Sequence, residues 1–246
     1  MVSGALDGAD PLAEALSVDE RAQLAAIWQS RAAAEMSVAA HFALVTRELI
    51  ETGSDEAVWR RAARAVGDEA SHAELCARLA ARYRNGAVEW PTRAPTEAPA
   101  HPGAPPELVP SLHVVALSCV SETIASVRLE AALAETRSPW ARFVIRRILA
   151  DEVEHARIGW AHLASRHVDA ETRRALAPWL PRLCRASVET TLAENASLPP
   201  MPAHGLPPLD ETRAAIASAL DDVILPGFAR VGFDTSGLSS AVRRLW

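Results

Sequence analysis

Two pentapeptides in this chain carry donors suited to metal chemistry: Asp68-Glu69-Ala70-Ser71-His72 and Asp151-Glu152-Val153-Glu154-His155. Each contains Glu-x-x-His with an Asp in front, and each lies mid-way along a run of helical periodicity. On an α-helix, residues three apart differ by about 300° in rotation and so share one face, a turn apart. Glu69 therefore reaches the same point beside its helix as His72, and Glu152 the same point as His155. A carboxylate and an imidazole at one point are half of a dinuclear metal cage. A single Glu-x-x-His arises easily by chance; two, each with its Asp and each central in a helix, do not. The pattern gains force if each motif helix follows a helix that offers one more inward Glu.

Stepping through the chain gives those helices. Ser17 and Glu20 form a capping box that opens a first helix, which Gly53 stops. Glu35 lies on its apolar stripe, seven residues from both Trp28 and Phe42, where a carboxylate is costly unless something neutralises it. His41 points away from that stripe. Ser54 is expected to cap the second helix, with Asp55 and Glu56 in its first turn, and Asn85-Gly86 to end it after Arg84. So short a connection forces an antiparallel hairpin. Glu35 precedes the turn by 18 residues and Glu69 follows it by 15. At about 1.5 Å per residue the two carboxylates stand at similar heights.

Residues 88–110 hold seven of the 17 prolines and read as an extended crossover able to run the length of a bundle. A third helix follows, from about Ser111 to Glu135, and Ser138-Pro139 opens a fourth. Glu122 and Glu152 again lie at matching distances from the short turn between them. The remainder reads as a helix over 170–195 interrupted by Pro178 and Pro181, a Pro-rich break, a helix over 210–225 and a Gly-containing tail from Pro226. The domain reading is therefore a flexible N-terminus (1–16), an all-α four-helix bundle of two antiparallel hairpins (17–168), and a helical extension packed on it (169–246). That extension is too large for a simple cap. It could wall a substrate pocket or form a subunit contact such as a homodimer, and the sequence leaves both open.

Two hairpins joined by a long crossover, carrying Glu, Glu-x-x-His, Glu and Glu-x-x-His in that order, resemble the ferritin-like di-iron carboxylate superfamily over about residues 18–168. The resemblance implies a ferritin-like bundle whose metal ligands are Glu35, Glu69, His72, Glu122, Glu152 and His155. It also implies that Asp151 accepts a hydrogen bond from His72, and Asp68 from His155. Two iron ions are the implied cofactor, with manganese or a mixed pair as alternatives, and O₂ as co-substrate. The implied activity is a dinuclear iron oxidase or oxygenase acting on a small organic substrate with an external electron donor. The alternative is ferroxidase, peroxide-scavenging or storage chemistry with no organic substrate. Four carboxylates and two imidazoles suit iron or manganese, and their four charges offset two divalent cations.

Other residues near the motifs are weighed against ordinary packing. Cys119 and Ser126 flank Glu122 at i−3 and i+4, and Gly159 lies one turn after His155; all three are expected as pocket lining. Glu130 reads as solvated, and Trp160 and His162 as core. Tyr83 is the only tyrosine and lies three turns from His72, too far for a radical beside the metals.

The totals exclude other chemistries. All 25 basic residues are Arg, so no lysine serves a Schiff base or a P-loop. A net charge of −6 gives no general attraction to nucleic acid or anionic membrane. Cys76, Cys119 and Cys184 are odd in number and widely spaced, with no Cys-x-x-Cys, which suits free thiols in a reducing cytoplasm. Met1 to Pro11 lack the pattern of a signal peptide, and no apolar run is read as approaching the 18 residues of a membrane span.

Overall fold

The structure, a computed structural model, describes residues 6–91 and 98–243, and it is helical throughout apart from connections. Four long helices dominate: α1 (Val18–Glu51), α2 (Glu56–Arg84), α3 (Pro106–Glu135) and α4 (Pro139–Leu163). The capping box of α1 is formed, with Ser17 accepting from the Glu20 amide and Glu20 from the Ser17 amide. At α2 the capping position is Asp55 rather than Ser54, whose hydroxyl is buried without a partner. Asn85 ends α2 in the left-handed conformation at φ 53° that a helix C-terminus favours and Asn tolerates.

The ends are fixed by polar contacts. At one end, Arg21 of α1 donates to the Tyr83 carbonyl of α2, and the Tyr83 ring packs edge-on against Trp140 at the start of α4. At the other, Glu48 of α1 is paired with His113 at the start of α3, 2.9 Å apart, and His113 Nε2 donates to the Pro99 carbonyl of the crossover. α1 and α3 therefore run in opposite directions, and the crossover carries the chain from one end to the other. Of that crossover, residues 92–97 lie outside the described residues.

Three apolar clusters divide the interior. One, with Phe42, Leu49, Val58 and Ile158, fills the Glu48 end of the bundle. A second, with Leu24, Trp28, Leu79, Tyr83 and Ile145, fills the Tyr83 end. The third seats the C-terminal helices on α3, joining Leu112, Val120 and Ile124 to Leu183, Ile216, Leu220 and Phe228.

Those C-terminal helices are α5 (Ala170–Leu176), α6 (Leu180–Asn195), α7 (Leu209–Ser218), α8 (Leu225–Arg230) and α9 (Ser236–Arg243). Pro178 does not break the run: a 3₁₀ turn over Ala177–Trp179 absorbs it. Nor does the next helix end at Leu225 as its sequence suggests. A π-helical stretch, Ala219–Ile224, widens the helix ahead of Pro226, and α8 carries on through the proline.

Two more expectations change. Residues 1–5 lie outside the described residues, but 6–16 are docked rather than loose. Asp10 is fully buried, caps a helical turn at Pro11–Glu14, and accepts from the Ser138 hydroxyl and the Trp140 amide. And α3 is, by length and composition, apolar enough to cross a bilayer, with a mean hydropathy of 1.5 over its best window. That window is 67% buried within the protein and includes part of the third cluster, so its apolarity is accounted for by packing between α4 and the C-terminal helices.

Candidate metal centre

Each of the four long helices sends a carboxylate to one level of the bundle, between the two end clusters. Glu69 is fully buried, and His72, Glu122, Glu152 and His155 are each exposed by 4% or less; Glu35 is half-buried. Their donor atoms form two groups, Glu35–Glu69–His72–Glu152 and Glu69–Glu122–Glu152–His155, and within each all lie within 4.8 Å of one another. Glu69 and Glu152 belong to both. The arrangement has an approximate two-fold relation between the hairpins, with Glu35 and His72 on one side and Glu122 and His155 on the other.

The imidazoles show where the donors aim. His72 Nδ1 lies 3.3 Å from Glu69 and 3.5 Å from Glu152; His155 Nδ1 lies 2.8 Å from Glu69 and 3.3 Å from Glu152. The opposite ring nitrogens face outward. His72 Nε2 is 3.2 Å from Asp151, and His155 Nε2 is 3.5 Å from Asp68. A proton on Nε2, donated to the aspartate, leaves Nδ1 as a free lone pair aimed at the centre.

Glu69 Oε1, Glu152 Oε2 and His155 Nδ1 are buried without a hydrogen bond, even though Nδ1 and Oε1 are only 2.8 Å apart. These unsatisfied atoms belong to residues whose donor atoms lie within 4.8 Å of one another. Buried acceptors so arranged cost several kcal/mol unless a cation satisfies them, and these oxygen and nitrogen donors can hold one.

The metal-free electrostatics tell the same story. Burial, and then repulsion from neighbouring carboxylates, pushes Glu35 and Glu122 well above the usual carboxylate range, and burial does the same to Glu152. Glu69 goes the other way: burial opposes its charge, but contacts with His155 and His72 outweigh it. Burial also opposes protonation of His72 and His155, yet Glu69 beside both raises them. Without cations, the cluster stays intact by taking up protons.

Comparison with protein-family models, curated proteins and solved structures returns no match. The chemistry of the centre therefore rests on its own geometry.

Glu122 occupies the last position of a π-helical segment, Val115–Glu122. Such widened turns occur often at functional sites because they re-aim a side chain within a continuous helix. The segment is held by α4: a Cβ added at Gly159 would lie 2.5 Å from Cys119 Sγ and 2.8 Å from the Cys119 backbone nitrogen. Gly159→Ala is expected to cost about 1–3 kcal/mol, since backbone must yield, and to weaken metal uptake by displacing Glu122. Paired thermal melts and metal titrations check this. A variant with unchanged Tm and affinity would show that α4 does not hold the segment.

A cavity of about 1140 Å³ opens directly onto Glu35, Glu122 and Glu152. Its walls come from α1, α3, α4, α6 and α7, so the C-terminal extension forms one side of an open pocket beside the centre. Cys119, Ser126 and Gly159 are not among its lining, contrary to the sequence reading. Cys119 and Gly159 instead pack α3 against α4, and burial pushes the Cys119 thiol up. The α1 face that lines it includes Arg31, Ala34, Val38 and His41. His41 thus faces the pocket, because α1 is covered on two sides, by the bundle and by the extension. The signal was present in the sequence: α1 is rich in small and apolar residues all round, as a helix buried on both faces must be. Tyr83, by contrast, sits in the end cluster, hydrogen-bonded to His204 at 2.9 Å.

Proposed function

We propose that this protein is a ferritin-like dinuclear metal oxidase or oxygenase that uses O₂ to oxidise a small organic substrate. The observation that carries the reading is the conjunction of two donor groups sharing Glu69 and Glu152 with a cavity large enough for a substrate. Each residue then has a role. Glu69 and Glu152 would contribute to both metal positions. Glu35 with His72 completes one, and Glu122 with His155 the other. Asp151 and Asp68 hold the Nε2 protons of the two histidines and so fix their tautomers.

Iron held by these residues would supply the redox equivalents for O₂ activation; manganese, or one of each, suits the same donors. The chain supplies dryness and access. Phe42, fully buried, packs its ring 5.2 Å from that of His155, and the cavity gives a small molecule room beside Glu35, Glu122 and Glu152. An external electron donor and a cytoplasmic setting belong to the same proposal.

The test is anaerobic loading with ferrous iron followed by a measured pulse of O₂. The expected result is O₂ uptake that saturates at two irons per chain, with further turnover only when a reductant is supplied. Continued ferrous oxidation and accumulation of ferric iron well beyond two per chain would instead establish the storage or ferroxidase alternative.

A further inference from the structure

Two arginines line the cavity without forming an ion pair among the described residues. Arg31 stands one turn before Glu35 on α1, the usual spacing for an ion pair, yet Glu35 acts on it as a neighbouring charge rather than a hydrogen-bonded partner; it stacks on Trp28 at 4.5 Å and donates weakly to the Gly205 carbonyl at 3.4 Å. Among the described residues, Arg128 on α3 donates to Asn195 of α6, at 3.3 Å. The acids along this cavity are Glu35, Glu122, Glu152, Glu194 and Glu211, of which Glu194 and Glu211 are exposed. Burial lowers Arg31, and burial together with Arg31 brings Arg128 down to about 10, so the two cations lie close enough to repel each other. Glu35 and Glu194 offset part of this charge from a distance, but half-buried guanidiniums with no carboxylate in hydrogen-bond reach among the described residues are well placed to receive an anion.

Their position relative to the centre is set by the helices. α1 and α3 are antiparallel, Arg31 precedes Glu35 by four residues and Arg128 follows Glu122 by six. Both are therefore displaced toward the same end of the bundle, by about 6–9 Å of helical rise. Between them and the metal level the cavity is walled by apolar groups such as Ala34, Ala125 and Ile148.

We propose that Arg31 and Arg128 form the anion-binding subsite of this cavity and take the carboxylate of an organic substrate whose apolar body reaches toward the metal centre. This deepens the oxidase reading and rests on it for the word substrate. The binding itself needs no metal. With the carboxylate held by the arginines, the carbon presented to the centre lies several bonds away from it, and Asn195 fixes the Arg128 fork.

Calorimetric titration tests this with octanoate and 1-octanol, which share a chain and differ in the head group, on manganese-loaded and on chelator-treated full-length protein. Octanoate is expected to bind more tightly than the alcohol in both forms, by about 10- to 100-fold, the worth of charge-assisted hydrogen bonds. In the Arg31→Gln, Arg128→Gln double variant that preference is expected to vanish while 1-octanol binding is unchanged. Equal binding of the two probes to the native protein overturns the subsite, and this comparison needs no variant to fold. A preference that survives the double variant also overturns it, by placing the carboxylate on the metals. Octanoate preference in a protein that takes up no manganese would sustain the subsite and sink the dinuclear reading; two manganese ions without the preference would do the reverse.

Discussion

Replacing Glu69 or Glu152 with Ala is expected to empty both metal positions, whereas replacing Glu35 or Glu122 empties one. The asymmetry follows from membership: Glu69 and Glu152 contribute oxygens to both donor groups, the other two carboxylates to one each. Losing one shared carboxylate would remove a ligand from each position and leave a single carboxylate common to the two cations. That effect should exceed the 10–100-fold loss of affinity typical when an outer hydrogen-bonding partner is removed, which is the range expected for Asp68→Ala or Asp151→Ala. Metal analysis after gel filtration, with circular dichroism to confirm helix content, reads the outcome directly. Equal losses across all four glutamates would contradict the shared-bridge geometry. Glu152→Ala should fold, because burial disfavours the Glu152 charge in the metal-free protein. Glu69→Ala forfeits the contacts with His155 and His72 that stabilise its carboxylate, so for that variant the circular dichroism control decides whether metal loss is read on a folded chain.

The second large effect is an inversion of pH dependence on metal removal. In the metal-free centre Glu35, Glu122 and Glu152 are held above their ordinary range, and His72 and His155 above theirs. The folded state therefore binds more protons than the unfolded one, and its stability must fall as pH rises above the ordinary carboxylate pKa. Glu69 is displaced the other way, so its contribution is lost only on acidification through and below the carboxylate range. Each unit of displacement is worth about 1.4 kcal/mol, and each kcal/mol moves Tm in a chain of this length by roughly 2–4 °C. We expect Tm of the chelated protein to drop by roughly 5 °C or more between pH 5.5 and 8. The loaded protein should show no such fall, since bound cations replace the protons and their affinity grows as ligands deprotonate. Glu122→Gln should raise the Tm of the chelated protein at pH 8 while weakening metal binding. A chelated protein that gains stability toward pH 8 would refute this account of the centre.

What the sequence made legible was what α-helical periodicity carries. Two Glu-x-x-His motifs, two Glu residues on apolar stripes and two short turns were enough to bring six side chains to one level. Periodicity could not show the π-helical segment over Val115–Glu122, which is stabilised by close packing against Gly159 rather than by local preference. The same limit explains Pro226, where a distant packing surface carries a helix past a residue that usually stops one. The pocket was hidden for another reason. Its walls come from α1, α3, α4, α6 and α7 together, and no single helix announces such a space. Arg31 and Arg128 look like ordinary surface cations until the extension is laid over them. The docking of residues 6–16 rests on Asp10, whose carboxylate reaches Ser138 far along the chain.

One number bears most directly on the centre: the metal content of native protein after anaerobic titration with ferrous iron and removal of excess. Two tightly held ions per chain, lost together in Glu69→Ala, is the result expected from two donor groups with two shared carboxylates. A chain that retains no iron, or holds ions equally well without Glu69, would contradict it.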